Sequence, residues 1–118
     1  MKLNSLLEKN ITRLAPMAGV SNEPFRVICL ENGSGFVTSE EIDSVSLLYN
    51  KSERTNLITQ FSKYEKPIAM QLLGCDPLSL SESSKILQDL GASIIDINTV
   101  SYTHLRAHET KANSVCRV

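Results

Sequence analysis

The 118-residue chain has no apolar run approaching the ~20 residues of a membrane-spanning helix, which excludes a transmembrane segment of that kind. It also lacks the pattern of a secretory leader. Glu8, Lys9 and Arg13 interrupt the stretch from Met1 to Leu14, leaving neither a continuous apolar core nor a small-residue cleavage site. Cysteine is sparse and odd in number. Cys29, Cys75 and Cys116 lie far apart, a pattern that predicts reduced thiols in a cytoplasmic compartment and no disulfide framework. An excess of charge of one sign is missing too: 12 Lys and Arg face 13 Asp and Glu, a net charge of −1. Without a broad basic field, any grip on nucleic acid has to come from a local patch or from sequence outside this chain.

What is present is a globular composition, 42% apolar and 21% charged, in which apolar runs alternate with helical periodicities. Residues 14–20, broken by Pro16 and ended by Ser21, Asn22 and Pro24, predict a buried first strand running into a turn. Phe25, Ile28 and Cys29 follow at i, i+3 and i+4 and predict a helix with these three on its inner face and Gly33 at its left-handed C-terminal cap. Residues 36–42 predict the second strand. Asp43 or Ser44 is placed to cap a helical stretch carrying Val45, Leu47, Leu48 and Tyr49, and a more polar segment with Leu57, Ile58 and Phe61 leads on to Lys66. Pro67 opens the third strand, whose run from Ile68 to Leu73 is too apolar to be covered on one face only. Asp76 as N-cap, Pro77 in the first helical position, Leu80, Leu87 and Leu90 on one face and Gly91 at the end mark the best-punctuated helix. Ser83 and Ser84 supply small residues where that helix approaches the sheet. Residues 93–98 predict the fourth strand.

Strands starting at 14, 36, 67 and 93 are separated by 22, 31 and 26 residues, near the ~30-residue unit of a strand, a crossover helix and a parallel strand. The class is α/β. An open dinucleotide-binding sheet is disfavoured at its first turn, because Pro16-Met17-Ala18-Gly19-Val20 contains no G-x-G-x-x-G to admit a pyrophosphate. A closed (β/α)8 TIM barrel is favoured by polar residues that recur toward the C-terminal ends of successive apolar runs: Ser39 and Glu40, then Gln71, then Asn98. Such a barrel takes ~250 residues, so about four βα units, its N-terminal part, are expected here.

The run Leu14-Ala15-Pro16-Met17-Ala18-Gly19-Val20-Ser21 is followed by Pro24-Phe25-Arg26, Thr38-Ser39-Glu40, Met70-Gln71-Leu72-Leu73-Gly74 with Asp76-Pro77, and Gly91-Ala92 leading to Ile95-Asp96-Ile97-Asn98. In order and spacing this set resembles the tRNA-dihydrouridine synthases. The resemblance covers residues 14–98 and implies a partial FMN-binding TIM-barrel domain over 1–98, with a C-terminal helical tRNA-binding domain absent from the chain. It implies reduction of the C5–C6 bond of uridine in tRNA, with FMN as cofactor, NADPH or NADH as reductant and tRNA as partner; no metal is implied. Pro16, Met17 and Ala18 would lie against the flavin ring, and Gln71 would hydrogen-bond its pyrimidine part, a task that suits an amide carrying both donor and acceptor. Asn98 falls where the family has an asparagine near flavin and target base, and Glu40 is a carboxylate in that vicinity.

Each of these residues also has a plainer reading. Gln71 can be a buried polar residue, Asn98 a helix cap, Glu40 a polar strand end, and Asp96 an anchor for a neighbouring strand or loop. Glu41 departs from the family, which has methionine after the Glu, and Cys75 stands where a small polar residue is common. Cys29 reads as helix core and Cys75 as loop.

After Asn98 the family continues Met-Gly-Cys-Pro, and that cysteine is its proton donor. Here residues 100–110 read V-S-Y-T-H-L-R-A-H-E-T and match at every position the translation of a transposon-end sequencing adapter. Residues 99–118 are therefore expected to be a non-native tail, which takes His104, His108 and Cys116 out of consideration as ligands or nucleophiles. No catalytic residue is then assigned within the chain, because the family's cysteine is missing. Residues 1–99 keep 9 basic and 12 acidic side chains, the wrong sign for gripping tRNA unaided. The chain alone is expected to be inactive. Two other readings stay open: a different FMN-dependent TIM-barrel oxidoreductase acting on a small molecule, and a non-catalytic half-barrel module.

Overall fold

The computed structural model describes residues 4, 5, 8 and 11–99. α1 (Glu23–Glu31) leads into β1 (Val37–Asp43); α2 (Ser44–Tyr49), α3 (Glu53–Ile58) and a 3-10 turn (Lys63–Glu65) carry the chain to β2 (Ile68–Leu73), and α4 (Pro77–Leu90) carries it to β3 (Ile94–Asn98). The three strands form one parallel sheet in the order β1-β2-β3, so the expected α/β class is what is observed. Strand alternation separates two faces. Ile42, Met70 and Leu72 point to one side and meet Leu47 of α2 and Leu87 of α4, with Ile58, Phe61, Leu80, Ile86 and Ile95 packed around them. This is the core. The other face carries Glu41, Gln71 and Asp96 abreast.

The helices start where their caps allow. The side chains of Asn22, Asp43 and Asp76 accept the N–H groups of Phe25, Ser46 and Ser79 at 3.1, 2.7 and 2.8 Å, each satisfying a donor that the first helical turn leaves open. The Ser79 hydroxyl also donates to Asp76, and together these bonds hold the Asp76 carboxyl below its ordinary value. Gly91 ends α4 with φ +101°, the left-handed cap expected. Ser83 is buried and donates its hydroxyl to the Ser44 carbonyl at 2.8 Å, so the small residue brings α4 against the start of α2.

Four expectations need correction. Residues 14–20 form no strand: pairing ends at one parallel bridge between Arg13 and Phe36, flanked by N–H bonds from Gly35 to Thr12 and from Leu14 to Phe36. Pro16 offers no N–H to extend that ladder, and the backbone then folds on itself, with the N–H groups of Val20 and Ser21 both donating to the Met17 carbonyl. In α1 the apolar positions do not face inward. Phe25 is exposed, Ile28 is 53% exposed and Cys29 only partly covered, while Arg26 occupies the buried side toward β1 and the 3-10 turn. Leu90 likewise leaves the face it was expected to share with Leu87 and is half exposed. β1 also runs to Asp43, which puts Ser39 and Glu40 in mid-strand and not at its end. The tail, including His104, His108 and Cys116, lies outside the described residues.

Candidate functional site

The parallel register sets Glu41 opposite Gln71 and Gln71 opposite Asp96. Asn98, two residues beyond Asp96, shares their face. Gln71 is buried; its Nε2 donates to Asp96 Oδ2 at 2.6 Å, and its Oε1 accepts from Asn98 Nδ2 at 3.4 Å. The same Asn98 nitrogen lies 3.4 Å from Glu41 Oε1. A primary amide has two N–H groups and two lone pairs, and these contacts take one of each from Gln71. A polar row thus crosses all three strands on the face turned away from the helices.

The second group gathers on the loop from Pro16 to Ser21. Ser21 is fully buried; its hydroxyl accepts the Met17 N–H at 2.9 Å and donates to the Met17 carbonyl at 3.1 Å, closing the turn through its side chain. Gly19, at φ +75°, takes the left-handed conformation that the turn requires. Its N–H donates to Glu40 Oε1 at 2.6 Å. Glu40 itself is buried, and the irregular register between Thr38 and Glu41 is what turns it toward the loop while Glu41 joins the polar row. Ser39 connects the two groups, accepting the Gln71 N–H at 3.1 Å and donating to the Glu40 carbonyl at 2.8 Å.

Behind the loop lies an ion pair. Arg26 is 2% exposed and Glu65 fully buried; Arg26 Nε donates to Glu65 Oε1, Nη1 to the Ser21 carbonyl at 2.8 Å and Nη2 to the Gln60 carbonyl at 3.1 Å. The second Glu65 oxygen accepts the Ser62 N–H at 2.7 Å. A cleft of about 340 Å³ opens beside this pair, bounded by Asn22, Glu23, Arg26, Glu40, Leu57 and Gln60.

Residues 13–99 match the family model described as dihydrouridine synthase. The chain belongs to the dihydrouridine synthase family. It is 42% identical over 85 residues to the tRNA-dihydrouridine synthase B of Pseudomonas aeruginosa, an alignment covering 72% of this chain and 25% of that protein. With the tRNA-dihydrouridine synthase B of Pasteurella multocida it shares 36% over 98 residues, 83% of this chain and 29% of the other. The synthase B of Proteus vulgaris is 35% identical over 98 residues, again 83% of this chain and 30% of that protein. The chain thus spans between a quarter and a third of the length of the relatives it matches.

For this family member, the structure brings Gln71 and Asn98 into one row and ties Glu40 to the loop that holds Pro16, Met17 and Ala18. Met17 and Ala18 are exposed and Pro16 half-buried, so that loop presents its outer side. Asp96 acts as an anchor, its plainer reading, by fixing the Gln71 amide. Cys29 and Cys75 are free thiols outside both groups. Sequence reasoning missed Ser21 and Glu65, and marked Ser39 only as one of the polar residues along its strand. Glu65 had a signal, since Ser62-Lys63-Tyr64-Glu65 is the S-x-x-E spacing that lets a carboxylate reach back to a turn's first N–H. Among the described residues no group of three or more His, Cys, Asp and Glu side chains could hold a metal ion, and no helix is long and apolar enough to cross a membrane.

Proposed function

We propose that the protein to which residues 1–98 belong is a flavin-dependent tRNA-dihydrouridine synthase, built on a (β/α)8 TIM barrel of which the three parallel strands are part. The observation that carries this reading is the Gln71 amide. It is buried, held by Asp96 and Asn98, and keeps one N–H and one lone pair uncommitted by those contacts, a donor and an acceptor for the mixed polar edge of a flavin. The residues therefore fit FMN. Bound there, FMN would supply the hydride that reduces the uridine C5–C6 bond, with NADPH or NADH as the source of reducing equivalents.

Gln71 would hold the ring's pyrimidine edge while Asp96, by accepting from Nε2, sets which way the amide points. Pro16, Met17 and Ala18 would lie against the ring, with Glu40 fixing their loop through Gly19. Asn98, at the end of β3, would stand beside flavin and target base. The acid that protonates C5 is assigned to a cysteine beyond Asn98, in sequence that replaces the tail at 99–118. The target base would have to leave its stack to reach such a site. Binding of tRNA itself is assigned to a helical domain beyond the barrel, because residues 1–99 are net acidic. The family match ends at residue 99, where the tail begins.

The test starts from source DNA, read past the Asn98 codon, followed by expression of the complete gene product in a host lacking its own dihydrouridine synthases. A yellow protein that restores dihydrouridine to tRNA, measured by mass spectrometry of nucleosides, is expected. A complete product that carries no flavin and leaves the tRNA unmodified overturns the reading.

A further inference from the structure

We infer that Arg26 and Glu65 form a positioning strut that holds the loop from Pro16 to Ser21 in the backbone conformation that meets the flavin; this rests on the flavin-binding reading above. The contacts run without interruption from the turn before β2 to the loop. The Ser62 N–H is held by Glu65, Glu65 by Arg26, the Ser21 carbonyl by Arg26, and both backbone groups of Met17 by the Ser21 hydroxyl. Every side chain on that path from Glu65 to Ser21 is buried.

An ion pair taken this far from water is a poor way to gain stability, since desolvation of both charges opposes their attraction and an apolar pair of similar volume packs as well. An apolar pair cannot aim a carbonyl. Arg26 addresses three acceptors from three separate segments, the Ser21 carbonyl, the Gln60 carbonyl and Glu65, and its flat, rigid fork fixes their directions relative to one another. Lysine would bring the charge without the fork. The loop is thereby pinned twice, at Met17 and Ser21 through Arg26 and at Gly19 through Glu40. Such prior fixing lowers the ordering cost of binding a planar ligand.

The experiment compares the complete gene product with its Arg26→Lys, Ser21→Ala and Leu87→Ala forms. Two quantities are read: amide hydrogen exchange at Met17 and Gly19 in the flavin-free protein, and FMN affinity by fluorescence titration. Arg26→Lys should speed exchange at both amides and weaken FMN binding by about tenfold or more, the effect of losing charge-assisted bonds, with the KM for tRNA unchanged. Ser21→Ala should do the same at Met17, and the two together should fall short of additive because they lie on one path. Leu87→Ala, which empties part of the core beneath α4, should lower the unfolding midpoint and leave loop exchange and flavin affinity alone. A folded Arg26→Lys protein with unchanged exchange and affinity overturns the strut. So does a Leu87→Ala protein whose loop loosens equally. Should Arg26→Lys fail to fold, Ser21→Ala decides by the same two readings. If the unsubstituted protein binds no FMN, the flavin reading fails, while the exchange data still judge the strut.

Discussion

Gly74 follows β2 at the point where the chain passes between α2 and α4, and it is buried with its N–H donated to the Asn98 carbonyl. Its φ lies outside the left-handed range, so alanine is acceptable to the backbone and the whole effect of Gly74→Ala is steric. A Cβ built there meets the Ser44 hydroxyl oxygen at 2.4 Å, Leu80 Cδ2 at 3.3 Å and Ser44 Cβ at 3.4 Å. The first contact is impossible without movement, and Ser44 is itself buried against Ser83. Overpacking of this kind costs about 1–3 kcal/mol. The cause is one oxygen atom, and removing it by Ser44→Ala leaves only the 3.3 and 3.4 Å contacts, which a few tenths of an ångström relieve. Equilibrium urea unfolding of the complete gene product should show Gly74→Ala destabilised by roughly 2 kcal/mol, Ser44→Ala changed by less than about 0.5, and the double variant recovering at least about 1 kcal/mol of the loss at constant m-value. Strict additivity of the two changes, or a neutral Gly74→Ala, would refute the assignment of the clash to Ser44.

Glu40→Ala should release the Gly19 amide and raise its exchange roughly tenfold, whereas Glu40→Gln keeps an acceptor and stays near the parent; equal behaviour of the two variants contradicts this. Gln71→Leu should preserve folding but strip the complete protein of flavin, visible as loss of colour after dialysis, and a fully loaded variant would remove Gln71 from the site. For Asp76, bonds from Ser79 depress the folded carboxyl, so its stabilising contribution is complete above the unfolded value of about 4 and disappears as pH falls through the lower folded one. Asp76→Ala should therefore close its stability gap to the parent on acidification, and a gap independent of pH over that window counts against it. Residues 1–118 expressed alone should be aggregated or molten and colourless, since β1 beyond its bridge and β3 offer strand edges that the described residues do not pair. A yellow monomer with a sharp melting transition contradicts that expectation.

Much of this was legible in sequence because it depends on local rules. The apolar run at 68–73, the Asp76-Pro77 start and the Gly91 stop each act within a few residues of themselves, and the structure reproduces all three. Gln71 and Asn98 also came out on one face. The first strand failed because a strand needs a partner as well as a sequence, and Pro16 together with the Ser21 hydroxyl gives the backbone a local alternative. The inner face of α1 failed because periodicity counts apolar side chains and has no way to register a guanidinium whose acceptors lie 5, 34 and 39 residues away. Glu40 kept two readings for a related reason: its client, the Gly19 N–H, is 21 residues upstream.

The extra residue in β1 has an arithmetic of its own. Between Thr38 and Glu41 the strand advances three residues while β2 advances two, from Ala69 to Gln71, so odd and even positions exchange sides midway. Upstream of that step an even-numbered residue looks toward the polar row; downstream an odd-numbered one does. Neighbouring carboxylates, Glu40 and Glu41, are in this way delivered to different clients. Deleting Ser39 would leave two steps opposite two, so Glu41 would stay beside Gln71 and Ile42 in the core, while Glu40 would lose the irregular turn that brings it to the Gly19 N–H. An alignment gap of one residue at this spot therefore marks the loss of the loop's anchor, with the polar row and the core left in register.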